Sequence, residues 1–96
     1  LANSAIQAAR TAGVSLGGGK GELTVVGGNC QAPGMRNLQR GAMTATVLML
    51  PVASAERAAD VAKAVLAGES VDAKYYEDHK IINSENADQY AEACSY

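Results

Sequence analysis

Hydrophobic and polar positions alternate between helical and extended patterns along the chain. Apolar residues recur every three to four positions in some stretches, and β-branched residues cluster in short stretches bounded by glycine or proline in others. In chain order the pattern predicts a helix over 2–12, a strand over 22–27, a helix over 34–39, a strand over 43–47, a helix over 55–67, a strand over 75–82 and a helix from 83 or 84 to about 93. Because strands that alternate with helices pair in parallel through right-handed crossovers, we expect an α/β sandwich.

A few residues are predicted to set the ends of these elements. Gly13 and Gly68 suit the left-handed position that follows a helix. Ser54 suits the N-cap of the helix over 55–67, and Pro51 closes the preceding strand because it cannot donate to a central ladder. The helix over 55–67 carries one apolar stripe, formed by Ala58, Val61, Ala62, Val65 and Leu66.

The composition leaves little material for a hydrophobic core. The 96 residues are 48% hydrophobic but only 4% aromatic, with no Trp or Phe, and alanine is the commonest apolar residue. A methyl group buries far less apolar area than an isobutyl group or a ring, and a domain of this size is already marginal. The chain also opens within a predicted helix. We therefore expect it to be part of a longer protein.

Charge and hydropathy argue against two classes of partner. The formal net charge is −2, and the eight Lys and Arg residues are scattered, so no basic stripe could track a phosphate backbone. The longest apolar run, 47–53, is far shorter than the roughly 20 residues that cross a bilayer, and it contains a proline. We expect neither nucleic-acid binding nor a membrane span.

The glycine cluster 17–21 does not match a phosphate-binding loop. Around the Gly19–Lys20 pair, that motif needs glycine where Val14 stands and Ser or Thr where Gly21 stands. A surface turn is the better interpretation. No dinucleotide-binding glycine pattern leads from a strand into a helix either, so we expect no nucleotide cofactor.

The charged segment 77–79 is the only stretch that suggests metal or acid–base chemistry. Glu77, Asp78 and His79 are consecutive, and consecutive strand residues point to opposite faces, so they cannot converge on one ion. A solvated or hinge role is expected instead. With a single His and no nucleophile in a recognisable setting, we expect no metal site, no cofactor and no enzyme activity.

The loop after the first strand is the best candidate for a binding site. In open parallel α/β sheets, ligands bind outside the carboxyl ends of the strands, and Asn29 stands there. Its amide offers donors and an acceptor to a hydroxyl-bearing ligand, but it could equally stabilise its own turn. The next residue, Cys30, and the distant Cys94 form no CxxC motif; they could pair in an oxidising compartment or remain buried thiols.

Several segments together resemble the C-terminal third of the ribose/galactose-type periplasmic solute-binding proteins of sugar ABC transporters. The likeness covers essentially the whole chain and rests on 25–29 (VVGGN), 35–47 (MRNLQRGAMTATV), the Pro51 segment, 62–69 (AKAVLAGE) and 82–90 (INSENADQY). It implies a type I periplasmic-binding-protein-like three-layer sandwich in which this C-terminal portion contributes to both of two lobes. Segments 48–51 and 78–79 would be crossovers between the lobes, and the helix over 55–66 would pack on the other lobe.

The resemblance also implies site residues. Asn29 falls where the family usually has an aspartate that binds sugar hydroxyls. Met49 falls where ribose-binding relatives have a glutamine at the hinge; a thioether is a weak acceptor and no donor, which argues against ribose. A pentitol, a tetritol, a less polar ligand, or a ligand bound by residues of the rest of the protein fits as well. The implied hinge residues are Leu48, Leu50, Pro51, Asp78 and His79. Export would permit a Cys30–Cys94 bridge that ties the tail to the ligand loop.

The function implied is binding of a small sugar or polyol and its delivery to an ABC transporter permease. The expected partners are the sugar or polyol, the remainder of the same protein and the permease. The expected location is periplasmic or extracytoplasmic, peripheral to the membrane, with a signal peptide upstream. The protein could also be a cell-surface lipoprotein. The alternative is the effector-binding domain of a LacI-type transcription regulator, which shares this fold, although segment 74–90 resembles the transport proteins more.

Overall fold

The computed structural model describes all 96 residues and follows the predicted order of elements. They are helix α1 (Ala2–Thr11), strand β1 (Val26–Gly27), helix α2 (Ala32–Gln39), strand β2 (Ala45–Leu48), helix α3 (Pro51–Leu66), strand β3 (Lys80–Asn83) and a 3₁₀ helix (Ala87–Tyr90). The glycines after α1 and α3 have φ values of 71° and 75°, which confirms Gly13 and Gly68 as the left-handed residues that follow these helices.

The sheet is mixed, with strand order β1-β2-β3. Strands β1 and β2 are parallel, as predicted, with Gly27 opposite Thr46. The expectation that all strands are parallel is wrong for β3, which is antiparallel to β2 with Lys80 opposite Leu48. The chain leaves the carboxyl edge of the sheet after Leu48, passes through α3, and re-enters at the same edge at Lys80. A strand that starts where its neighbour ends must run in the opposite direction.

One face of the sheet carries a helical layer. Thr46 and its register partner Ile82 lie on this face and are fully buried. The core unites this face with α1, α2 and the C-terminal residues, and consists of Ile6, Val25, Cys30, Met35, Leu38, Ala42, Met43, Leu48, Ile82, Ala87 and Cys94. Helices α1 and α2 are also joined by a hydrogen bond from the Asn37 amide to Asn3 Oδ1 at 2.9 Å.

The opposite face of the sheet is apolar and uncovered. Val26 pairs with Ala45, and Val47 pairs with Ile81, so these four residues share a face by register. Val26 is 63% exposed and Ile81 is 67% exposed. The chain thus supplies the sheet and one helical layer of the predicted three-layer sandwich.

Helix α3 extends away from this body. None of its residues is buried, and in its apolar stripe Ala58, Val65 and Leu66 are exposed. The radius of gyration is 17.4 Å, and the longest dimension is 58 Å. A compact chain of this length would have a radius of gyration of about 12 Å. As expected from its stripe, α3 has little in this chain to pack against.

The start of α3 corrects the prediction that Ser54 is its N-cap. The helix begins at Pro51, with Leu50 as N-cap, and Ser54 lies in the first turn, where its N–H donates to Leu50 O at 3.0 Å. Proline suits the first helical position because its missing N–H would have no partner there. Pro51 therefore starts α3 as well as ending the β2 segment.

Two predicted strands are shorter in the structure. Only Val26–Gly27 of 22–27 and Lys80–Ile82 of 75–82 lie in β1 and β3. Leu23 instead bridges to Leu16 around the glycine-rich loop. That loop is an exposed turn, as predicted, and its Gly19 N–H donates to Glu22 Oε2 at 2.9 Å.

The end of the chain corrects the predicted last helix. Asn83 accepts a hydrogen bond from the Glu85 N–H at 2.9 Å, and Asn86 Oδ1 accepts one from the Asn83 N–H at 2.9 Å. These side chains form a turn in place of a helix cap. Of the predicted last helix, only the 3₁₀ helix Ala87–Tyr90 forms, and residues 91–94 are turns.

Candidate functional site

The carboxyl edge of the β1–β2 pair gathers most of the predicted site residues. Parallel strands end at one edge, and antiparallel β3 begins there. The edge therefore collects the loop after β1, with Asn29, the connection between β2 and α3 (Met49 and Leu50, called the β2–α3 connection below), and the Asp78–His79 segment before β3. The register places Leu48 directly opposite Lys80.

The backbone of Asn29 is hydrogen-bonded to β2, and its side chain is free. Its φ is 63°, in the left-handed region that Asn tolerates better than most residues. Its carbonyl oxygen accepts a hydrogen bond from Thr46 Oγ1 at 3.0 Å. The side-chain amide is exposed and makes no hydrogen bond within the chain, so it is available to a ligand.

The β2–α3 connection is exposed, and it follows buried residues of β2. Met49 and Leu50 are exposed, whereas Leu48 and Thr46 are buried in the sheet. The Met49 carbonyl oxygen accepts a hydrogen bond from the Tyr96 hydroxyl at 3.0 Å. Pro51 follows at once as the first residue of α3.

The Glu77–Asp78–His79 segment does not form a catalytic or metal-binding cluster. Glu77 is half-buried, and Ser54 Oγ donates to its Oε2 at 2.7 Å. Asp78 and His79 are exposed. No group of three His, Cys, Asp or Glu side chains is placed to hold a metal ion. The segment instead contacts α3, because Arg57 Nη1 also donates to Tyr76 O at 3.0 Å.

Two small cavities flank the candidate residues. One of about 160 Å³ is lined by Leu48, Leu50, Ala53, Arg57, Glu77 and Asp78. Another of about 100 Å³ is lined by residues of the N-terminus, the β1 loop and α2, including Asn29. Both are smaller than the roughly 300–1,000 Å³ of ordinary small-molecule sites. Neither of these two cavities alone is large enough to enclose a ligand of that kind.

The C-terminal residues reach this edge of the sheet through the Cys30–Cys94 bridge, one of the two alternatives stated for these cysteines, and through Tyr96, which sequence reasoning missed. Cys30 and Cys94 form a disulfide, with their Cα atoms 5.1 Å apart. The Ala32 N–H donates to Tyr96 O at 3.2 Å, and the Tyr96 hydroxyl reaches Met49. The only sequence signal for Tyr96 is its position two residues after Cys94.

The comparisons with known proteins concern the fold. No family model and no curated protein sequence matches the chain. Among solved structures, a Mycobacterium smegmatis protein in complex with β-D-fucofuranose aligns over 94% of the chain with a TM-score of 0.73 and 24% identity. A second M. smegmatis structure aligns over 92% with a TM-score of 0.66 and 23% identity. A galactofuranose-binding protein aligns over 94% with a TM-score of 0.75 and 17% identity.

These likenesses confirm the predicted fold class. The chain has the periplasmic-binding-protein-like α/β fold and matches a part of each of these structures. It spans 31%, 28% and 29% of the length of the three matched chains. No helix is long and apolar enough to cross a membrane.

Proposed function

We propose that the chain is the C-terminal part of an extracytoplasmic protein that binds a small sugar or polyol and delivers it to an ABC transporter permease. The observation that carries the proposal is the fold likeness to a galactofuranose-binding protein and to a protein solved with β-D-fucofuranose. Binding requires no covalent chemistry, and no cofactor is needed.

The geometry of the sheet edge supports a role for Asn29 in binding. Its amide is unpaired and exposed at the carboxyl end of β1, where α/β sheets bind ligands. An amide can both donate to and accept from sugar hydroxyls. In this proposal Met49 adds apolar contact from the β2–α3 connection, and hinge motion at 48–51 and 78–79 closes the lobes on the ligand.

The uncovered surfaces support an origin in a larger two-lobed protein. The face formed by Val26, Ala45, Val47 and Ile81 is apolar and open, and α3 buries no residue. Apolar surfaces of this kind are association sites in folded proteins. We propose that other segments of the same protein cover the sheet face and that a second lobe covers α3.

The disulfide supports the proposed location. Disulfides persist in oxidising compartments and are rare in the cytosol. A buried Cys30–Cys94 bond suits a periplasmic or cell-surface protein better than a cytosolic regulator. Delivery to a permease follows from the same proposal.

Ligand titration of the intact protein tests the proposed function. Galactose, fucose, ribose and xylitol are screened by thermal shift and then by calorimetry. A ligand at a hundred times its Kd stabilises the native state by about 2.7 kcal/mol, which a thermal shift detects readily. We expect at least one sugar or polyol to bind and ribose to bind more weakly than the best ligand. Binding of none of them would contradict the proposal.

A further inference from the structure

Residues 94–96 bridge two separate segments at the carboxyl edge of the sheet. Cys94 is bonded to Cys30 in the loop after β1. Two residues later the Tyr96 hydroxyl donates to the Met49 carbonyl oxygen at 3.0 Å, in the β2–α3 connection. One short stretch of chain therefore touches both segments to which the proposed function assigns the ligand.

The two ends of this bridge differ in burial. Cys30 and Cys94 have no exposed surface and belong to the core. The path is fixed further by the hydrogen bond from the Ala32 N–H to Tyr96 O at 3.2 Å. Tyr96, Met49 and Leu50 are exposed. The bridge thus has a base in the core and reaches the exposed β2–α3 connection, where it is the contact made by the Met49 carbonyl.

We infer that Tyr96 is a positioning residue that restrains the β2–α3 connection through the Met49 carbonyl, with the Cys30–Cys94 disulfide holding Tyr96 in place. The inference rests on the proposed function, in which this connection is a hinge. Hinge closure changes the φ and ψ of a few connecting residues, so a bond to one of their carbonyls biases the arrangement of α3 relative to the sheet. When a binding-competent arrangement is less populated, the apparent affinity falls in proportion.

Hydrogen exchange of the intact, ligand-free protein tests the restraint. Tyr96→Phe removes only the hydroxyl, and Tyr76→Phe is the matched control because Tyr76 is 80% exposed and its hydroxyl makes no hydrogen bond. The Ser54 N–H is the first amide of α3 that is hydrogen-bonded, to Leu50 O at 3.0 Å. Loss of the Tyr96 hydrogen bond predicts roughly two- to tenfold faster exchange of this amide in Tyr96→Phe. The control leaves this rate unchanged.

A merely structural role predicts a different pattern. If Tyr96 only stabilised the fold as a whole, exchange would rise by the same factor across the sheet as at Ser54; that result would overturn the inference. Equal rates in Tyr96→Phe and Tyr76→Phe would overturn it too. No ligand enters this measurement, so failure of every sugar to bind the wild type would contradict the proposed function without affecting it.

Where a sugar binds the wild type, calorimetry with that sugar adds a second criterion. We expect the Kd of Tyr96→Phe to rise by roughly two- to tenfold and that of Tyr76→Phe to stay unchanged. An unchanged Kd alongside faster exchange would overturn the positioning role.

Discussion

Thr46 Oγ1 donates a hydrogen bond to the backbone carbonyl oxygen of Asn29 at 3.0 Å. Thr46 is fully buried in β2, and Asn29 lies exposed in the loop after β1. The side chain of one strand therefore fixes the backbone that presents the candidate ligand-binding amide. The contact also satisfies a buried hydroxyl, which would otherwise be costly.

Replacement of Thr46 tests this contact. Thr46→Val keeps the shape but removes the donor, so we expect a loss of about 1–3 kcal/mol in the free energy of unfolding. Thr46→Ser is the matched control because it keeps the hydroxyl and loses a methyl group, at a cost of about 1 kcal/mol. Denaturant unfolding of the intact protein measures both. A Thr46→Val variant as stable as wild type would show that the hydrogen bond contributes nothing.

Substitutions at Asn29 separate its backbone from its side chain. Because φ is 63°, Asn29→Ala replaces a residue that tolerates the left-handed region with one that tolerates it less well, which should cost about 1 kcal/mol of stability. Asn29→Gly adopts this conformation freely and should be nearly neutral. Both variants lack the amide, so calorimetry should show the same loss of sugar affinity, about 1 kcal/mol for one hydrogen bond. Normal affinity in Asn29→Gly would remove Asn29 from the site.

Local signals in the sequence explain which parts of the fold could be predicted. Gly13 and Gly68 are glycines in the left-handed region, and their role depends only on the adjacent helix. The β-branched residues before Gly27 marked β1, although hydrogen-bonded pairing shortened it to Val26–Gly27. At the start of α3 two local signals competed, and Pro51 at the first helical position determined the boundary rather than Ser54.

The features that sequence reasoning missed depend on contacts between distant residues. The direction of β3 is set by where the chain returns after α3, which no local pattern records. A last helix was predicted to start at residue 83 or 84, but the Asn83 side chain forms a turn with Glu85. In the candidate site, Asn29 could be predicted because it directly follows β1. The Tyr96–Met49 contact could not be predicted, because it joins residues 47 apart in sequence and no motif marks it.

Removal of the disulfide should destabilise the protein strongly. It closes a loop with a sequence separation of 64 residues, for which the chain-entropy model gives an upper value of about 4 kcal/mol. We expect the Cys30→Ser/Cys94→Ser double variant to lose about 2–4 kcal/mol in denaturant unfolding. Reductant should destabilise the wild type and leave the double variant unaffected. The unreduced wild type is alkylated and its mass is measured. A mass that corresponds to two alkylated cysteines would rule the bond out.

The isolated 96-residue chain should not behave as a stable monomer. Its sheet exposes Val26 and Ile81, and α3 buries no residue, so copies should associate through these apolar surfaces. Sedimentation should show self-association that weakens in a Val26→Thr/Ile81→Thr variant. Val14→Thr, an exposed valine outside both surfaces, is the matched control and should associate like the wild type. A monomeric wild-type chain with a cooperative unfolding transition would contradict the dependence on the rest of the protein.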